Sequence, residues 1–167
     1  MKDNTIVDNM LKGANQVMVN KMTADFITEA KKTETASTFS GKISYDAIVD
    51  AISELKVEDE SKLFIVIPNA WKAALRKDAD YKAARMGEVV YNGQVGTIAG
   101  LPVIATNALT SEAFVMDNTA IKLFMKKDVE VEQERDADKR KNSVYLRSAY
   151  ICALVDNSKI CKVSAAG

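Results

Sequence analysis

The chain has 167 residues, an ordinary length for one domain with a real core, and its 47% apolar and 28% charged content is that of a soluble globular protein. Twenty-three basic and 23 acidic residues cancel, which excludes a whole-molecule field drawing it to nucleic acid or to an anionic membrane. With no His and only Cys152 and Cys161, a structural zinc site and every Ser-His or Cys-His nucleophile are excluded, so an enzyme here would work with Asp, Glu, Lys or Tyr.

No run of 18 apolar residues is present, and MKDNTIVDNML at the amino end lacks the unbroken apolar stretch of a signal peptide, so synthesis in the cytoplasm without export or a membrane span is expected. Residues 4 to 31 contain no Pro and set Val7, Met10, Leu11, Ala14, Val17, Met18, Met22, Phe26 and Ala30 at mostly three- and four-residue steps. The spacing predicts a helix of ~40 Å acting as a spine and packing one face on a sheet. TETASTFSG, 33 to 41, reads as a loop or edge strand. Ser44 before Ile48, Ile52 and Leu55, with Asp46 in the first turn, predicts an amphipathic helix over 45 to 56.

LFIVI, 63 to 67, stopped by Pro68, reads as a strand buried on both faces. Asn69 is placed to cap a third helix whose inner face carries Trp71, Ala74 and Leu75, with the Trp as a core anchor. From 86 to 116 short apolar pieces between Gly, Pro and Asn predict strands and turns. In KKDVEVEQERDADKRK, 126 to 141, twelve of sixteen residues are charged. Val129 and Val131 alternate with Asp128, Glu130, Glu132 and Glu134, which predicts a strand with one face buried and the other covered in carboxylate. SVYLRSAYICALV and SKICKV follow as strands. A hairpin turn at Asp156-Asn157 would set Cys152 opposite Cys161 as reduced cross-strand thiols.

Three stretches invite a chemical reading. Gly93, Gly96 and Gly100 look like a phosphate loop, but no Gly-Lys-Ser/Thr opens a helix after them; Pro102 instead opens a strand expected to carry Val103, Ile104 and Ala105 into the core, so Gly93, Gly96, Gly100 and Pro102 read as structural turns. Glu130 and Glu132 stand ~7 Å apart on one strand face, the basis of an alternative reading as a carboxylate-based hydrolase. Four acids on a single face give no sign of the unequal environments that such a pair needs, so Asp128, Glu130, Glu132 and Glu134 read as a solvated face or a subunit-contact strip. Lys139, Arg140 and Lys141 sit among acids with no interleaved aromatics, which fits a turn tip rather than a nucleic-acid platform.

IVIPNAWKAALRKDADY, then GTIAGLPVIATNAL, SEAFVMDNTAIKLFMKKDVEVEQERD and YICALVDNSKICKV, in that order, resemble the carboxyl-terminal half of the major capsid proteins of tailed bacteriophages, continuously from about Tyr45 to Val163. The resemblance implies an α+β phage major-capsid-like fold with a long spine helix, a peripheral sheet and an axial α/β lobe. Residues 1–41 and 121–167 would form the peripheral domain and 42–120 the axial domain, with 80 to 96 near an axial loop. It implies a structural subunit with no active site, cofactor or metal. Such a subunit self-assembles as pentamers or hexamers of an icosahedral shell, meets scaffold or portal proteins, is made in the cytoplasm of a host bacterium and resides in the virion capsid. An encapsulin-like compartment shell is the alternative of the same fold.

Family members carry an amino-terminal arm and an extended loop before the spine helix, and about three residues precede it here, so the expectation is a truncated subunit that closes shells poorly. Some members also join subunits through a Lys-Asn bond assisted by a Glu; Asn142 falls near that Asn but Ala149 stands at the Glu position, so no covalent cross-link is expected.

Overall fold

Apolar runs without alternation, LFIVI and AFVM, belong to strands buried on both faces, and the structure sets them side by side. The computed structural model describes residues 4–55, 57–80, 96–136, 138–139 and 141–166. In chain order the elements are α1 (Asn4–Ala30), β1 (Ala36–Phe39), α2 (Tyr45–Leu55), β2 (Leu63–Pro68), α3 (Lys72–Lys77), β3 (Thr97–Ile98), β4 (Leu101–Thr106), β5 (Glu112–Asp117), β6 (Ile121–Asp136), β7 (Lys141–Leu154) and β8 (Ile160–Ala165). They fold as two units, Ile27–Lys122 with Leu154–Gly167, and Met1–Phe26 with Leu123–Ala153.

The larger unit is a sheet of order β1-β8-β5-β2-β4-β3. β1 runs parallel to β8 and β2 parallel to β4, while β5 is antiparallel to both β2 and β8. On one face, Ile65, Ile67, Val115, Cys161 and Val163 share a core with Ala47, Ile48, Ala51, Ile52 and Leu55, the apolar stripe of α2. The Ser44 hydroxyl accepts from Ala47 N at 3.3 Å and so caps that helix as its sequence predicts. The opposite face carries Phe114, Met116 and Ile160, all buried, and the last turns of α1 bury Ile27 and Ala30. Lys31 at 3.2 Å from Glu112 brings the end of α1 to β5.

Four expectations fail for identifiable reasons. Asn69 does not cap α3: residues 69–71 form a tight 3-10 turn, and the Asn69 amide donates instead to Asn107 Oδ1 beyond β4. Asp156-Asn157 is not a hairpin. Asn157 Oδ1 accepts from Thr33 Oγ1 at 2.8 Å and from Glu34 N at 3.1 Å, which ties the loop after α1 to the turn before β8. β8 therefore pairs with β1 and β5, and Cys161 faces Val115 rather than Cys152. Burial pushes the Cys161 thiol up to about 11. Ile104, expected in the core with Val103 and Ala105, points to solvent because β4 alternates. The fourth concerns β6 and is described with the candidate site. Trp71 does anchor the core, edge-on to Phe39 with ring centroids 5.4 Å apart.

The glycine-rich stretch is a tight turn in its described part; Gly93 lies outside the described residues. Thr97 pairs with Pro102 and Ile98 with Leu101, leaving Ala99-Gly100 as a two-residue hairpin loop. Both have positive φ, 51° and 80°, as a type I′ turn requires. Val103 N donates to Gly96 O at 3.1 Å, which ties the start of the stretch to β4. A Cβ at Gly100 would meet nothing within 4 Å, and the constraint is φ alone. Gly100→Ala is expected to cost about 1 kcal/mol and Ala99→Asn to return a smaller amount, read as opposite shifts of the urea midpoint.

Candidate functional site

The smaller unit is a helix against a long hairpin. β6 has 16 residues and β7 has 14, and they pair as a two-stranded sheet; a connection as short as 137–140 makes them antiparallel. Tyr150 OH donates to Asp25 Oδ2 at 2.7 Å, and Lys21 Nζ lies 2.5 Å from Asp25 Oδ1, which fastens α1 to β7. The Lys21 ammonium and then the Tyr150 hydroxyl hold the Asp25 carboxyl below its usual range, and the bond to Asp25 raises Tyr150. An open groove of about 650 Å³ runs beside this contact, lined by Val17, Met18, Lys21, Lys127 and Leu146 among others.

Side chains alternate across β7, so Tyr150 on the α1 side leaves Tyr145, Arg147 and Ile151 on the other. Arg147 lies 3.7 Å from Glu132, which places the strip Asp128, Glu130, Glu132 and Glu134 on that outer face together with Phe124 and Lys126. The opposite face of β6 carries Leu123, Met125, Val129 and Val131. It was expected to be buried, and within this chain it is not: Val129 is 45% and Val131 56% exposed. α1 is fastened to β7 through Tyr150, and the apolar residues of β6 stay open to solvent among the described residues.

Two of the strip's carboxylates are ion-paired. Glu130 is held by Lys127 at 2.6 Å and Glu132 by Arg147, each on the open strand, whereas an acid pair for hydrolysis needs two unequal environments. Among the described residues no group of three or more His, Cys, Asp or Glu is placed to hold a metal ion. What the geometry offers is surface: a long strand with charge on one face and apolar side chains on the other.

A family model described as the phage capsid family matches residues 5–163. The chain belongs to that family. It is 27% identical over 124 residues to the major capsid protein of Staphylococcus phage phiMR11, covering 71% of this chain and 45% of that protein. A solved structure of Mycobacterium phage Che8 superposes with a TM-score of 0.71 at 20% identity, over 93% of this chain and 61% of that one. The holo-SrpI encapsulin complex of Synechococcus elongatus PCC 7942 superposes at 0.70 with 12% identity, over 95% and 65%. The α+β fold is thus the one found in phage capsids and encapsulins. The capsid-family chain spans less than half the length of the curated relative and under two thirds of these structural neighbours.

Proposed function

We propose that this chain is a structural subunit of a phage or prophage icosahedral shell and acts by self-association, with no reaction of its own. The observation that carries the reading is the exposed long hairpin, whose apolar Leu123, Met125, Val129 and Val131 stay open to solvent among the described residues. In this reading 1–26 and 123–153, within the expected peripheral stretches 1–41 and 121–167, form the peripheral element. Residues 42–120, joined by β1 and β8, form the axial lobe. The strip Asp128, Glu130, Glu132 and Glu134 serves as a subunit-contact strip within pentamers or hexamers, and scaffold or portal proteins are further partners. The chain is made in a host bacterium and ends in the virion.

The relative found by sequence is a phage protein, which favours a virion over an encapsulin-like compartment. Light scattering and electron microscopy across protein concentration and salt test the proposal. Association that grows with concentration and weakens as salt screens the charged strip is expected. A strict monomer at every concentration would overturn self-association by this chain.

A further inference from the structure

Three turns of the same make-up stand at one end of the larger sheet. Asp59 and Ser61 lead into β2, Asp117 and Thr119 follow β5, and Asp156 and Ser158 lead into β8. In each, the Asp Oδ1 accepts from the backbone N–H two residues on, at 3.1, 2.7 and 3.1 Å in that order. It accepts from the hydroxyl of the same residue at 2.5, 2.7 and 2.6 Å. In the outer two turns a lysine follows and returns to its own Asp, Lys62 to Asp59 at 3.6 Å and Lys159 to Asp156 at 3.5 Å. β5 is antiparallel to both neighbours, with Leu63 opposite Asp117 and Ile160 opposite Met116, so the two lysines arrive on either side of Asp117. Lys159 Nζ also donates to Thr119 Oγ1 at 3.1 Å.

The middle turn holds more than itself. Asp117 O accepts from Ala120 N, and Ala120 O accepts from Val155 N and Asp156 N, so the chain entering β6 and the chain leaving β7 are both tied to the end of β5. All of these residues belong to the larger unit. Their surroundings differ from those of the strands beside them. Asn118, Thr119 and Val155 are exposed, whereas Val115, Met116, Ile160 and Val163 are fully buried. Backbone bonds at exposed turns open at a lower free energy than those beneath a packed core.

We infer that residues 117–120 and 155–159 form an acid-released latch, which frees the two roots of the β6–β7 hairpin while β2, β5 and β8 stay paired. Protonation is the trigger because the Asp117 carboxylate accepts two bonds at one oxygen and is attracted by two ammonium groups, and a carboxylic acid loses most of both. The charges acting on it are Lys159 and Lys62, each shared with the acid of its own turn, Asp156 or Asp59. Burial raises the Asp117 carboxyl, and the bonds from Thr119 with those two charges outweigh it and hold the group below its ordinary value. Asp59 and Asp156 are lowered as well, chiefly by the hydroxyls of Ser61 and Ser158. A lowered folded-state value means that the latch is closed above the ordinary value and opens as pH falls through the folded one. The inference is independent of shell assembly.

Amide hydrogen exchange of the full chain, followed by NMR and normalised to the unstructured rate at each pH, tests it. On lowering the pH from about 7 to about 3, the amides of Thr119, Ala120, Val155 and Asp156 are expected to lose about tenfold in protection. Those of Val115 and Val163 are expected to keep theirs. Asp117→Asn is expected to show the faster exchange at the same four root positions, Thr119 to Asp156, already at neutral pH. Lys62→Met combined with Lys159→Met is expected to move the opening of the otherwise unchanged chain to higher pH, because burial then acts on Asp117 without its two counter-charges. Loss of protection at the root and in the strands at one and the same pH would show ordinary acid unfolding and overturn the latch. Root protection that does not change with pH would overturn it too, and the wild-type series alone decides both points if a variant fails to fold.

Discussion

Phe114→Ala is expected to destabilise the chain by about 3–5 kcal/mol, whereas Phe124→Ala is expected to change stability by less than about 0.5 kcal/mol and to weaken association instead. The two residues are the same type on strands of the same chain, and they differ in what surrounds them. Phe114 is 1% exposed on β5, whose two neighbours β2 and β8 hold it in the middle of the sheet. Removing its ring leaves a cavity that close-packed neighbours refill only partly. A loss of that size is a large share of the 5–15 kcal/mol typical of a domain. Phe124 is 50% exposed on the outer face of β6, so truncation removes little that folding had buried. Urea unfolding followed by the fluorescence of Trp71, the single Trp, reports the first effect, because Trp71 packs on the core of the larger unit. Sedimentation reports the second. Equal stability losses for the two variants would mean that the face of Phe124 is covered within a single chain, and would remove that face of the hairpin as an association surface.

What was legible in the chain beforehand was local. The stripe Ile48, Ile52, Leu55 with Ser44 ahead of it specifies α2 through spacing and a cap, both of which act within a few residues. LFIVI announces a strand buried on both faces by the same short-range logic. Partner choice is not local. β8 pairs with β1 and β5, strands far from it in the chain, and nothing in DNSK distinguishes a hairpin from a turn held by Asn157 against Thr33. The Ala99-Gly100 turn was half legible: Gly100 signals positive φ, but an Ala in the left-handed region carries no residue-type signal. β6 is the most instructive case. Its alternation correctly indicates an apolar face that wants cover, and alternation is blind to whether the cover comes from the same chain. For the same reason the acidic strip was visible as a strip, while what the strip faces was not.

Asp117→Ala is expected to cost about 2–3 kcal/mol at neutral pH, a large effect for a turn residue. Asp117 is buried at the end of β5, and its Oδ1 accepts from both Thr119 N and Thr119 Oγ1 at 2.7 Å. Its own carbonyl accepts from Ala120 N at 3.1 Å and closes the turn into β6. Ala120 O in turn accepts from Val155 N at 2.9 Å and Asp156 N at 3.2 Å, so one carboxylate orders both the entry to β6 and the exit from β7. Burial raises the Asp117 carboxyl, but the two bonds from Thr119, with the charges of Lys159 and Lys62 behind them, outweigh burial and leave it below the ordinary value. A folded-state value below the unfolded one, near 3.9 for Asp, means that the carboxylate stabilises the fold fully above the unfolded value. The contribution is lost as pH falls through the folded value. The urea midpoint of the wild type is therefore expected to fall towards that of Asp117→Asn below about pH 4, and the gap between them to be widest at neutral pH. Asn keeps an acceptor for Thr119 without the charge, so it isolates the ionic part. A gap that stays constant from pH 7 down to pH 2 would show that the turn uses Asp117 for its shape alone, and that Thr119, Lys159 and Lys62 surround the carboxyl without stabilising its charge.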